Sequence, residues 1–190
     1  MMDEQPMQLI GETRVPIPAT KDHPQRVDYE YARKGTASIF MFAEPLSACR
    51  QATARPRRTK VDWAIEVAHL LDTWYAKCET VTLVSDNLNT HTTGAFYEAF
   101  LADKARDYVR RLTFVHTPKH GSWLNVAECE LSCMTSQCIT GRRIKEIEVL
   151  QSENKAWSDK TNTKQRGIDW HFTVEHARTK LRKLYPIIKV

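Results

Sequence analysis

The chain has 190 residues, 42% of them hydrophobic and 27% charged, a balance that suits one globular domain with extensions and a core of useful size. No apolar run reaches the roughly 20 residues a membrane-spanning helix needs. The start, Met1-Met2-Asp3-Glu4-Gln5, lacks the basic and apolar regions of a secretory signal, so the expected location is the cytoplasm. Five scattered cysteines without a CxxC pair argue against a disulfide framework and against a structural zinc site. Twenty-eight Lys and Arg against 23 Asp and Glu leave a net charge of +5. The excess is clustered, at Arg55-Pro56-Arg57-Arg58-Thr59-Lys60, Arg110-Arg111, Arg142-Arg143 and Arg178 to Lys183. Such clusters together suit a polyanionic partner, although each alone is more often a solvated face than a phosphate contact.

Taken in chain order, residues 11–34 read as irregular, punctuated by Pro16, Pro18 and Pro24. Ala37 to Ala43 reads as a strand, and roughly Ala48 to Ala54 as a second that pairs with it across Pro45-Leu46-Ser47. From Thr59 the period turns helical, with Val61, Ala64, Ile65, Ala68, Leu71 and Tyr75 on one stripe and Thr59 with Asp62 as a capping pair. The apolar strand Val81 to Ser85 follows, then a helical region from about Thr93 to Arg110 and the strand Leu112 to Val115. A loop with Pro118 and Gly121 leads into a helix from about Asn125 to Cys138. Two more helices are expected, about Ile144 to Ser158 and Thr173 to Tyr185. The alternation implies an α/β fold, with a sheet of mixed direction and helices on its faces.

Within this frame Asp86, at the end of a buried strand, stands where α/β sheets place ligand chemistry, although Asp-Asn is also common turn chemistry. Glu128 follows Asn125 by three residues, so it reads either as a ligand or as the far half of a capping box. Helical phase does not choose between Glu128 and Glu130. Carboxylates so placed can offer oxygens to hard cations such as Mg²⁺, and a third acid would permit two-metal phosphoryl transfer. The third candidate is Asp3, which by position alone is a terminal residue. His91, His116 and His120 read as loop or packing histidines or as groups that orient a phosphate or a water, and Trp123 as an anchor for its loop.

Asp3-Glu4 with Gln8-Leu9, Asp28-Tyr29-Glu30-Tyr31 before Gly35, Asp86-Asn87 with His91, and Pro118 through Trp123-Leu124-Asn125 to Glu128 together resemble bacterial insertion-sequence transposases of the mariner superfamily. The resemblance implies a ribonuclease-H-like fold over residues 1–145, with 146–190 as a C-terminal helical extension of the same domain. It implies a DDE triad of Asp3, Asp86 and Glu128 that binds two Mg²⁺ or Mn²⁺ ions, cuts transposon ends and joins them to target DNA. DNA is then the expected partner, with a second copy of the chain beside it and nucleoid association when bound. Arg57, Arg58, Lys60, Lys119 and His120 are the candidate DNA contacts. Only Met1 and Met2 precede Asp3, which normally lies on the central strand, so that first strand is expected to be largely missing. The isolated chain is then expected to be a weak nuclease or a non-catalytic, DNA-binding remnant.

Overall fold

A computed structural model describes residues 1–118, 121–165, 167–180 and 182–184. Strand β1 (Met2–Glu12) pairs antiparallel with β2 (Tyr31–Glu44), and β2 pairs antiparallel with β3 (Cys49–Arg55). Strands β4 (Val81–Ser85) and β5 (Leu112–His116) form a parallel pair beside β1. The fold is therefore mixed α/β, as expected.

The expectation of a largely missing first strand is corrected. β1 runs for 11 residues and is laddered to β2 from Met2↔Phe42 to Glu12↔Tyr31, with one register shift at Leu9/Ile10. Met1 is held as well: its amino group donates to the Ala43 carbonyl at 2.7 Å, and Ala43 N–H donates back to Met1 at 2.9 Å. A full ladder on one side satisfies the backbone groups that would leave an isolated terminal segment frayed. β2 likewise begins earlier than the apolar run suggested, because its polar first half, Tyr31 to Thr36, is paired to β1.

The period-two alternation of the strands divides the apolar residues between two cores. Ile39, Met41 and Ala43 of β2, with Leu9, Ala52 and Ala54, face the helices α4 (Val126–Met134) and α5 (Ile147–Thr163). Met2, Phe40 and Phe42 face the other way, onto α1 (Lys60–Thr73), α2 (Gly94–Ala99) and α3 (Ala102–Arg111). The result is three layers, helix over sheet over helix.

Thr59 and Asp62 form the expected capping box. The buried face of α1 is centred on Trp63, Val67, Leu70 and Leu71, rotated from the stripe read in the sequence, and Val61 and Ile65 are only half-buried. The rotation was hidden by Glu66, an inward-facing acid that is buried because the Thr53 hydroxyl and Arg55 guanidinium bind it. The helix expected from Thr93 to Arg110 breaks at Phe100, which is extended and turns its ring onto Tyr108.

The exposed edge of β3 is closed by α5 side chains rather than by another strand. Arg50 N–H donates to Asn162 Oδ1, and Asn162 Nδ2 donates to the Arg50 carbonyl, both at 2.8 Å. Ser158 Oγ accepts from Ala52 N–H at 3.1 Å, and Gln151 Nε2 donates to the Ala54 carbonyl at 3.0 Å. A ready template for strand pairing is thereby blocked. Of the last expected helix, α6 covers Val174–Lys180 and a 3₁₀ turn covers Arg182–Leu184, while its Tyr185 end lies outside the described residues.

Candidate active site

Asp3, Asp86 and Glu128 line one cavity of about 630 Å³, together with Gln5, Asn125 and Thr135. Three different elements deliver the three acids. Asp3 sits on β1 among residues whose odd-numbered members, Met1, Met7 and Leu9, pack toward α4, so alternation aims its side chain at that helix. Asp86 follows the last residue of β4. Glu128 stands in the first turn of α4, on its solvent side.

Local chemistry positions α4 against β1. Gly121 lies where an added Cβ would come within 2.8 Å of Pro118 Cγ, so only glycine allows the tight turn in which its N–H donates to the Pro118 carbonyl at 2.8 Å. A single 3₁₀ turn at Ser122–Leu124 then leads to Asn125. Asn125 is fully buried and acts twice: Oδ1 accepts from Ala127 N–H at 3.2 Å, capping α4, while Nδ2 donates to the Met2 carbonyl at 2.9 Å. The cap is thus Asn125 alone, and the Glu128 side chain lines the cavity. At its far end α4 passes into a π-helical turn, Thr135–Ile139, whose Thr135 hydroxyl donates to Gln5 Oε1 at 3.1 Å. Such wide turns recur at functional sites.

Packing sets Glu128 and Glu130 apart. Glu130 points into the protein, where Arg50 Nη2 binds its Oε1 at 2.9 Å and both side chains are almost fully buried. Glu4 is similarly diverted: one residue from Asp3, it faces the opposite side of the sheet and its Oε1 lies 3.0 Å from His91 Nε2. His91, 1% exposed, stacks on Trp63 with ring centroids 5.3 Å apart. Its Nδ1 donates to the Asp86 carbonyl at 3.2 Å and lies 3.0 Å from Asp86 Oδ1. Burial alone would lower the His91 pKa, but Glu4 and Asp86 outweigh it and raise the value. His116 Nδ1, from the end of β5, meets the same Asp86 carbonyl at 3.2 Å.

The cavity has the electrostatics of a cation site. Asp3 is pushed up to about 6, first by burial and then by the charges of Asp86, Glu128 and Glu4, against the favourable Glu4 N–H hydrogen bond. Asp86 Oδ1 is buried, with the His91 ring nitrogen 3.0 Å away. An oxygen-only, anionic donor set fits a hard divalent cation. Among the described residues, however, no three His, Cys, Asp or Glu side chains are gathered closely enough to hold a metal ion as they stand. Of the three acids, Glu128 is the one exposed on its helix.

Arg57, Arg58 and Lys60 do not line this cavity. Arg57 and Arg58 are exposed in the connection from β3 to α1, and Lys60 pairs with Glu98 at 3.6 Å. Lys119 and His120 lie outside the described residues. A second cavity of about 640 Å³ lies between β3, α1 and α5, but its wall carries the mutually paired Arg55 and Glu66 and no convergent acids.

A family model described as DDE superfamily endonuclease matches residues 1–151, a span that includes β1, both sheets, α4 and the three cavity acids. The chain belongs to that family. No curated protein and no solved structure matches it. Membership in the DDE superfamily endonucleases implies nuclease chemistry on DNA with divalent metal ions. Among the described residues no helix is long and apolar enough to cross a membrane. Two residues of the DDE cavity wall and its surround escaped the sequence. Asn125 looked like a simple cap, and its reach to β1 needs the fold. Glu4 had a signal, since alternation on a strand must send neighbours Asp3 and Glu4 to opposite faces.

Proposed function

We propose that this chain is the catalytic domain of a DDE transposase of the mariner superfamily, with a ribonuclease-H-like fold, which cleaves DNA at transposon ends and transfers the strands to a target. The antiparallel β1–β3 set beside the parallel β4–β5 pair, helix-covered on both faces, supports that fold. The carrying observation is that Asp3, Asp86 and Glu128, distant in sequence, line one cavity. Two Mg²⁺ or Mn²⁺ ions held there would activate a water or 3′ hydroxyl and stabilise the leaving oxygen. Asp3, on β1, and Asp86, just after β4, supply the fixed wall; Glu128 supplies the adjustable one. Arg57, Arg58 and Lys60 would hold DNA backbone away from the cavity, and residues 146–190 would extend the same domain by docking α5 on β3.

The test is Mg²⁺-dependent nicking of a labelled transposon-end duplex. Cleavage is expected in the wild-type chain and lost in Asp86→Ala and in Glu128→Gln; cleavage persisting in both variants overturns the assignment. A second reading, a truncated, non-catalytic DNA-binding remnant, draws on the observation that the three acids are not gathered for metal binding. Salt-sensitive DNA binding that survives Asp86→Ala, with no cleavage under any divalent ion, selects it.

A further inference from the structure

Ser85 and His116 reach only the Asp86 backbone carbonyl, whereas His91 also meets its carboxylate, and that ring is held at every corner. Its face rests on the fully buried Trp63 at 5.3 Å and 27°. Its Nε2 meets the Glu4 carboxylate, itself 2% exposed, at 3.0 Å. Its Nδ1 meets Asp86 twice, at the backbone carbonyl and at Oδ1. Glu4 lies on β1 directly beside Asp3, and Asp86 follows the last residue of β4. β1 and β4 share no ladder among the described residues, for β4 pairs with β5 alone. Asp3 on β1 and Asp86 just after β4 are therefore carried by strands without mutual backbone hydrogen bonds, and the His91 ring spans the gap between those strands.

We propose that His91 is a positioning residue of the carboxylate site, a strut from Glu4 to Asp86 that fixes the separation and orientation of Asp3 and Asp86 before a cation binds. The inference rests on the reading of those acids as metal ligands. A ring that merely fills the core would influence stability and leave cation affinity alone. A ring acting only through charge would, with hydrogens on both nitrogens, repel a cation, so its removal would tighten binding. A strut predicts the opposite sign: its removal weakens binding, because ligands no longer held must be ordered by the ion. Partners that orient metal ligands are typically worth 10–100-fold in affinity.

The experiment measures Mn²⁺ binding to the full chain by electron paramagnetic resonance, alongside the melting temperature. His91→Phe, which keeps a ring on Trp63 but no hydrogen bonds, is expected to bind Mn²⁺ on the order of 10–100-fold more weakly. His91→Gln, which keeps one donor toward Asp86, is expected to recover part of that loss. Unchanged or tighter Mn²⁺ binding in a folded His91→Phe chain overturns the proposal. Should His91→Phe fail to fold, Glu4→Leu removes the far anchor of the strut instead. A several-fold loss is then expected, and wild-type affinity in a folded Glu4→Leu chain overturns the proposal. Asp86→Ala is the control for the underlying reading: if it binds Mn²⁺ as the wild type does, the site assignment itself fails, whatever His91 shows.

Discussion

Glu128 and Glu130 stand two residues apart on one helix and live in opposite circumstances. Glu130 belongs to a closed account of charge: Arg50 meets it inside the protein, and the guanidinium also donates to the Ala48 carbonyl at 2.7 Å. Glu128 belongs to an open one, facing Asp3 and Asp86 across a cavity where the charges of Asp86 and Glu128 make Asp3 harder to ionise. An acid neutralised from within has been assigned to structure, because its partner is already part of the fold. Acids left facing each other are stable together only with a proton or a cation from outside. The contrast separates residues that hold this molecule together from those that give it something to bind.

The contrast breaks most sharply at Arg50. Arg50→Ala leaves Glu130 buried and uncompensated, which should cost about 3–5 kcal/mol of folding stability, read from urea unfolding. The double change Arg50→Met with Glu130→Leu should recover most of that loss, since apolar replacement of a buried pair is often neutral or better. If Arg50→Ala leaves the unfolding midpoint in place, the pair is not the internal clamp described here. The opposite sign is expected in the open neighbourhood. Asp3→Asn keeps the acceptor for Glu4 N–H but removes the ionisation penalty, and it should stabilise the metal-free chain by about 1–2 kcal/mol at pH 8, after allowance for screening at a half-buried site. Because the folded-state pKa is raised, the penalty is absent below about pH 4, develops between pH 4 and about 6, and is complete above that. The gain in Asp3→Asn should follow the same course and vanish in acid.

Much of this was readable from sequence because it depends on local pattern. The hairpin β2–β3, the strands β4 and β5, and the Thr59 capping box follow from alternation, apolar runs and cap chemistry. Asp3, Asp86 and Glu128 were legible as candidates through motif order, not through spacing. What stayed hidden depends on partners far along the chain. Nothing local marks Glu66 and Glu130 as buried acids until Arg55 and Arg50 are found opposite them. His91 reads as a loop residue until Glu4, 87 positions earlier, closes on it. β1 reads as a frayed end because its order comes from a ladder with β2 that no short window contains. The exposed basic cluster at Arg57 and Arg58 could be located but not linked to the cavity.

The sharpest refinement of the comparison is to supply the missing cation and watch which neighbourhood responds. Mg²⁺ should raise the melting temperature of the wild-type chain more at pH 7.5 than at pH 5, because at pH 5 Asp3 largely carries a proton that the ion must displace. The Mg²⁺ increment should shrink in Asp3→Asn and Asp86→Asn. It should be unaltered in the Arg50→Met, Glu130→Leu double variant, whose charges never faced the cavity. An equal increment at both pH values would mean that ions act elsewhere on the surface, and that the acids around the cavity are as self-sufficient as Glu130.

The smallest effect expected is at the exposed cations. Arg57→Ala with Arg58→Ala should leave folding stability within about 0.5 kcal/mol, since neither side chain is buried. DNA binding should weaken by similar factors across sequences, and the slope of log affinity against log salt should become shallower by about 2 if both contact phosphates. Titrations at several salt concentrations with two unrelated duplexes decide it. An unchanged slope places these arginines with the solvated charges of the surface and leaves the DNA path to be traced from the cavity outward.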